Sequence, residues 1–278
     1  FEKKFSKYLG GGYAVAVSNG TTAIELALVS LGIKKNDEVL LPNFTFAATI
    51  NAVIHVGAKP VLVDCEEGTW TIDLKKAEKL TNKKTKAILP VHIYGQPAKI
   101  DEIKSFAKKK RLFVIEDCAE ALGSKYKKRK VGLDGNGSTF SFFPNKLITT
   151  GEGGMVVFKQ LKDALKAKIL LNQGRSKTKN YWHDYAGYNF RMTNLQAAVG
   201  VAQLKKINYF LKMRKKIFSN YNKLFEKNIN IKLLPQNNWS SNSCWLYTIC
   251  INKLGEKRRD KLINILNGYG IETRPGFY

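Results

Sequence analysis

Short apolar runs alternate with helical patterns through the first half of the chain. Residues 39–41 predict a strand and 45–56 a helix; 60–64 predict a strand and 73–80 a helix. The same pair recurs at 87–91 and 100–109, and residues 112–116 read as a further strand ending at Asp117. Upstream, 14–17 is β-like and 23–31 reads as an amphipathic helix. This rhythm predicts an α/β fold, a mainly parallel central sheet covered by helices on both faces. Ligands of such sheets bind beyond the carboxyl ends of the strands.

From Thr193 the pattern changes. Residues 193–225 are rich in Leu, Ala, Ile and Lys and predict one long helix or two stacked ones. A polar stretch, 236–243, follows Pro235; then 244–251 reads as a strand and 256–266 as a helix. We therefore expect a large domain over 1–205 and the start of a smaller α+β domain over 206–278. Phe1 stands where a Met would open a chain, and Arg274 to Tyr278 ends without a helix or polar tail, as in one piece of a longer protein.

Composition narrows the function classes. The chain has 278 residues, 44% of them hydrophobic, enough to bury a sizeable core. Its formal net charge is +25, from 47 Lys+Arg against 22 Asp+Glu, which raises nucleic acid as a partner. The basic clusters at 108–111, 127–130 and 212–216 are scattered, however, and lack the interleaved aromatics of a stacking platform. A solvated lysine-rich surface is the reading we adopt, with no nucleic-acid partner. Four separated cysteines without a C-x-x-C spacing fit a reducing, cytoplasmic setting. Three histidines far apart give no metal cluster, and no apolar run reaches membrane-spanning length.

Three local constellations carry chemistry. Ser18-Asn19-Gly20-Thr21-Thr22 lies between a β-like run and a helix, where small residues let backbone amides cradle a phosphate; an ordinary N-cap explains it equally. Asp117 follows a buried strand, where a carboxylate needs a partner; a protonated pyridine nitrogen is one, and a helix N-cap is the alternative. Lys146 sits between Ser141-Phe142-Phe143-Pro144 and the glycine-rich 151–154, a setting that confines the amine and makes it a usable nucleophile. A lysine, an acid and a phosphate cradle in one α/β layout are what a pyridoxal 5'-phosphate (PLP) enzyme requires.

At these residues the chain resembles the DegT/DnrJ/EryC1/StrS sugar aminotransferases, which have the fold-type-I architecture. The likeness runs through Ser18 to Thr21, Pro42 to Thr49, Pro90 to Gln96, Glu116 to Ala121, Phe140 to Gly154, Gly187 to Met192 and Gln196 to Ala198. It implies that Lys146 carries PLP covalently, that Asp117 faces its ring nitrogen and that Phe46 stacks on the ring, although Phe46 alone reads as a core aromatic. Gly20, Thr21 and Ser141 would bind the phosphate. Asn189, otherwise a turn asparagine, would reach the phosphate of the neighbouring subunit, which implies a homodimer with shared sites. Substrates would be an amino-acid donor, L-glutamate, and a nucleotide-linked 4-keto-6-deoxy-sugar.

Many relatives carry glutamine where this chain has Glu120, beside the cofactor's phenolic oxygen. Two negative oxygens repel unless one holds a proton, so Glu120 is expected to share one. His92, Tyr94, Trp182 and His183 are candidate sugar or nucleotide contacts, each equally open to a structural role. Two rival functions use the same scaffold. One is a sugar dehydratase, which has histidine where this chain has Lys146; the other is a regulatory, nucleic-acid-binding protein.

Overall fold

A computed structural model describes residues 1–252 and 254–277. Lys253 and Tyr278, the last residue of the 274–278 stretch, lie outside the described residues. Strands β1 (Tyr13–Val17), β2 (Glu38–Pro42), β3 (Lys59–Val63), β4 (Thr85–Ile88) and β5 (Phe113–Asp117) precede a short hairpin, β6 (Lys125–Tyr126) and β7 (Arg129–Lys130). Then come β8 (Gly137–Ser141) and β9 (Gly154–Phe158). The central sheet has seven strands in the order β1-β9-β8-β5-β4-β2-β3. Strands β3, β2, β4, β5 and β8 run parallel, while β9 is antiparallel to both β8 and β1. Strand β1 therefore points the same way as β8. The expected mainly parallel sheet is present.

Alternate residues face two separate apolar layers, as the two-residue strand period requires. Val39, Leu41, Ala87, Leu89, Ile115, Val156 and Phe158 face one; Leu40, Ile88, Val114, Met155 and Val157 face the other. Helices α2 (Gly20–Ser30), α3 (Ala47–His55) and α6 (Leu161–Leu170) cover the first layer. Helices α1 (Glu2–Leu9), α4 (Leu74–Leu80) and α5 (Ile100–Lys110) cover the second. Pro60 sits on the edge strand β3, where its missing N–H costs no ladder bond.

Two sequence expectations need correction. The 23–31 helix is not amphipathic: Ala23, Ile24, Leu26, Ala27, Leu28 and Ser30 are all buried, because α2 is wedged between the sheet, α3 and α6. The strand expected over 244–251 forms only at Ile249–Ile251 (β12), where it pairs with β10 (Ile231–Leu233). Residues 244–248 instead fold back over the main sheet, and Cys244 takes a positive φ of 60°.

The long helical stretch is two helices, α7 (Asn194–Lys205) and α8 (Ile207–Phe225), joined at Lys206. After α8 the chain forms β10, β11 (Ser240–Ser241), β12 and α9 (Glu256–Gly268). Strand β11 adds to the β6–β7 hairpin, making a three-stranded sheet separate from the central one.

Candidate active site

All the local constellations emerge at one edge of the sheet. Strands β1, β2, β4, β5 and β8 end there, followed by Ser18–Asn19, residues 43–46, residues 90–96, residues 118–120 and residues 142–146 respectively. The parallel topology alone brings these five loops together.

At the start of α2 the N-cap reading of Ser18–Thr22 holds. Asn19 is the N-cap: its side chain accepts from the Thr22 amide at 2.9 Å, and Thr22 Oγ1 accepts from the Asn19 amide at 3.2 Å. Ala23 N–H reaches Asn19 O, so Gly20 and Thr21 carry the two other amides that a helix N-terminus leaves for an anion. A Cβ at Gly20 would stand 2.9 Å from Ser141 Cβ, so glycine permits α2 to approach the end of β8. Ser141 Oγ accepts from the Phe143 amide at 3.4 Å, which leaves its own proton to donate.

Asp117 closes β5 and is buried. Its Oδ2 accepts from Thr49 Oγ1 at 2.9 Å, and its Oδ1 from the Ala119 amide at 3.1 Å. Because Thr49 spends its proton on Asp117, Thr45 must donate in the 2.9 Å contact between the two threonines. Burial pushes the Asp117 carboxyl above its ordinary range, against the Ala119 amide, the Thr49 hydroxyl and the Lys146 ammonium. A cationic ring nitrogen would supply the missing counter-charge.

Three residues on, Glu120 is also buried, and its Oε2 accepts from the Tyr94 amide at 2.7 Å. Burial raises this carboxyl to about 7, with Lys146 and the Tyr94 amide opposing and Asp117 adding to the rise. Lys146 is drawn the other way. Burial lowers its pKa, while Glu120 and Asp117 partly restore it. The three groups thus form one electrostatic cluster.

The Phe142-Phe143-Pro144 segment does not itself cover Lys146. Phe142 turns into the core beside Phe1 and Phe5, and Phe143 is exposed. The cover comes from Trp245, whose ring centroid lies 3.7 Å from Lys146 Nζ. Trp245 and Thr49 carried no sequence signal of their own, being joined to their partners only by tertiary folding.

Phe46 is not a core aromatic. It is the N-cap residue of α3, 58% exposed, and leans on Phe277 with centroids 5.8 Å apart. Asn189 is exposed. It lies one residue from Phe190, whose carbonyl accepts from the Ser18 amide, and its Oδ1 is 3.3 Å from Arg191.

Of the candidate sugar contacts, His92 is excluded because both ring nitrogens are engaged. Nδ1 accepts from the Ala98 amide at 2.9 Å, so Nε2 carries the proton and donates to Glu116 at 3.1 Å. The amides of Gly132, Asp134 and Gly135 complete the shell of Glu116. Although burial opposes the charge, the His92 hydrogen bond and the Gly135 and Gly132 amides hold Glu116 below the usual carboxylate range. Donor atoms of His92, Glu116 and Cys118 lie within 4.8 Å of one another, a grouping the sequence did not show. Their hydrogen bonds make this a brace behind Asp117 rather than an open metal site. Tyr94 is buried and stacks between Trp245 and Phe277. Trp182 is exposed, and His183 Nδ1 lies 2.8 Å from the Gln173 carbonyl.

The basic clusters lie on separate elements: the end of α5, the β6–β7 hairpin and α8. Lys127 and Arg129 pair with Asp101, and Lys110 with Glu78. Among the described residues no helix is long and apolar enough to cross a membrane.

These residues fit PLP: an acid at a strand end, a buried amine, and a glycine-dependent anion cradle that a Cβ would fill. Comparison with known proteins agrees. GDP-perosamine synthase of Escherichia coli O157:H7 is 44% identical over 280 residues, covering 100% of this chain and 75% of that protein. The enzyme of the same name from Caulobacter vibrioides is 42% identical over 279 residues with the same coverage. The solved structure of S. venezuelae DesV matches with a TM-score of 0.91 at 33% identity, covering 98% of this chain and 71% of that one. The DegT/DnrJ/EryC1/StrS aminotransferase family matches residues 1–278. The chain belongs to that family and is a PLP-dependent sugar aminotransferase.

Proposed function

We propose that the protein transfers the amino group of L-glutamate to C4 of a GDP-linked 4-keto-6-deoxy-sugar. The observation that carries the reaction class is the coupled cluster of Asp117, Glu120 and Lys146 beside the Gly20–Ser141 cradle. Identity of 41–44% along the whole chain to three GDP-perosamine synthases supports the nucleotide and the sugar.

Bound PLP supplies an electron-accepting pyridinium ring that delocalises the electron pair left when a proton leaves the donor's α-carbon. Asp117 would hold the proton on the ring nitrogen, its ionised form favoured by Thr49, the Ala119 amide and the ring's own charge. Gly20, Thr21 and Ser141 would hold the phosphate, and Phe46 would pack on the ring. Glu120, poised near neutrality, shares a proton with the phenolic oxygen. Lys146 would hold the cofactor at rest and, once free, its neutral amine would take the α-proton of the donor and later return a proton in the sugar half of the reaction.

The working unit in this reading is a homodimer, with Asn189 of each copy reaching its partner's phosphate. Its exposure supports that role. Four free thiols support a reducing, cytoplasmic setting, and division at 205/206 into large and small domains remains our reading of the chain.

The test is to incubate the protein with PLP, L-glutamate and a panel of GDP-, UDP- and dTDP-linked 4-keto-6-deoxy-sugars and to weigh the products. A 4-amino GDP-sugar with 2-oxoglutarate is expected. Ammonia and a deoxy-sugar instead would establish the dehydratase. Turnover confined to UDP- or dTDP-sugars would reject the GDP assignment.

A further inference from the structure

We propose that Trp245 is a positioning residue for Lys146, its indole face being the berth that receives the lysine side chain, in its protonated form, when the amine is neither bonded to the cofactor nor acting as the base. This rests on Lys146 as the cofactor-bearing lysine and is independent of the sugar.

The geometry is specific. Lys146 Nζ lies 3.7 Å from the centre of the Trp245 ring, well within cation–π range, and Trp245 is 5% exposed. The ring cannot drift from the lysine, because Trp245 Nε1 donates to the Asn145 carbonyl at 2.7 Å, the peptide next to Lys146. Trp245 also stacks with Tyr94, centroids 6.1 Å apart and planes 18° apart. The Tyr94 amide in turn holds Glu120. One aromatic residue thus bridges the amine and the support of the neighbouring acid.

The delivery of Trp245 is also built in. Ser243, two residues earlier, donates its amide to Ser124 Oγ at 2.9 Å and its hydroxyl to the Glu120 carbonyl at 3.3 Å. Ser124 Oγ donates to the Gly95 carbonyl at 2.7 Å. Gly95 has a φ of +84°, and a Cβ there would come within 2.7 Å of Ser243 Oγ. This clip pins the returning chain onto the loops that carry Tyr94 and Glu120, so the ring arrives over Lys146 at a fixed height.

The consequence is chemical. Burial alone favours the neutral amine, which would be free to swing among several rotamers after displacement. An aromatic face stabilises the charged form and gives it one resting place without a competing carboxylate hydrogen bond. A tryptophan that merely excluded water would do the opposite: its removal would hydrate the ammonium and raise the lysine pKa.

That opposition in sign provides the test. In protein freed of PLP, the acetylation rate of Lys146 by acetic anhydride is followed against pH by peptide mass spectrometry. Trp245→Leu, which fills space without a π face, is expected to lower the titration midpoint by about 0.5–1 pH unit. Trp245→Phe, with a weaker face, should lower it by roughly half as much. In the PLP-loaded enzyme, the acidic limb of the glutamate half-reaction should move the same way. An unchanged or raised midpoint in Trp245→Leu overturns the proposal. If that variant does not fold, a Trp245→Phe midpoint equal to wild type does so. Because the labelling uses no sugar, its outcome is separate from that of the GDP-sugar reading.

Discussion

Thr49 on α3 donates its hydroxyl to Asp117 at the end of β5, 2.9 Å away and 68 residues later in the chain. The acid expected to meet the cofactor nitrogen is thereby oriented by a helix whose own N-terminus carries Phe46. Thr49→Val keeps the shape and removes the donor. A hydrogen bond to a charged group is worth about 1.5–3 kcal/mol, so PLP should bind roughly tenfold or more weakly. The Asp117 pKa should rise further, since one of the groups opposing burial is gone. Thr49→Ser should recover most of the affinity in a fluorescence titration.

Lys146→Ala should abolish the visible absorbance of the bound cofactor and reduce transamination by at least about 10²–10⁴-fold, the usual contribution of a positioned acid–base group. A second readout needs no turnover. Lys146 depresses the Glu120 pKa, so its loss should push the Glu120 titration above about 7, measurable by carboxyl infrared bands in the protein freed of PLP. Retained colour and turnover would remove Lys146 from the mechanism.

Glu120 makes stability depend on pH. Its folded pKa, about 7, lies above the ordinary 4.5, so between those values the folded chain binds more protons than the unfolded chain. Stability from this residue is therefore full below about pH 4.5 and is lost as pH rises through 7. The span of 4.5 to about 7 corresponds to no more than about 3.5 kcal/mol. Glu120→Gln should flatten that part of the curve in denaturant melts at pH 5 and pH 8. In the loaded enzyme it should also shift the pH titration of the cofactor absorbance; an unchanged titration would rule out the shared proton.

Gly20→Ala places a methyl 2.9 Å from Ser141 Cβ. Overpacking of this kind costs about 1–3 kcal/mol, and it spreads the cradle as well. Melting temperature and PLP affinity should both fall. Adding Ser141→Gly should restore the melting temperature by removing the clash, but not the affinity, because the hydroxyl donor is then absent.

The sequence alone determined the sheet type and the chemical parts. Continuous apolar runs at 39–41 and 112–115, alternating with helical patterns, fit strands of a covered parallel sheet, and their parallel order puts Gly20, Phe46, Asp117, Glu120, Ser141 and Lys146 at one edge. Each of these lies within a few residues of a strand end; local pattern pointed to Gly20, Asp117 and Lys146, whereas Phe46, Glu120 and Ser141 were indicated by the family resemblance. Local pattern failed where the partner was remote. It took α2 for a surface helix, extended β12 back to Cys244, and left His92 open as a sugar contact, although the buried Glu116 engages it. Only the tertiary structure set Trp245 against Asn145, 100 residues earlier, and Thr49 against Asp117. Hydrophobic periodicity records which face of an element is buried, but not which other element covers it; that is decided when the chain closes its long loops.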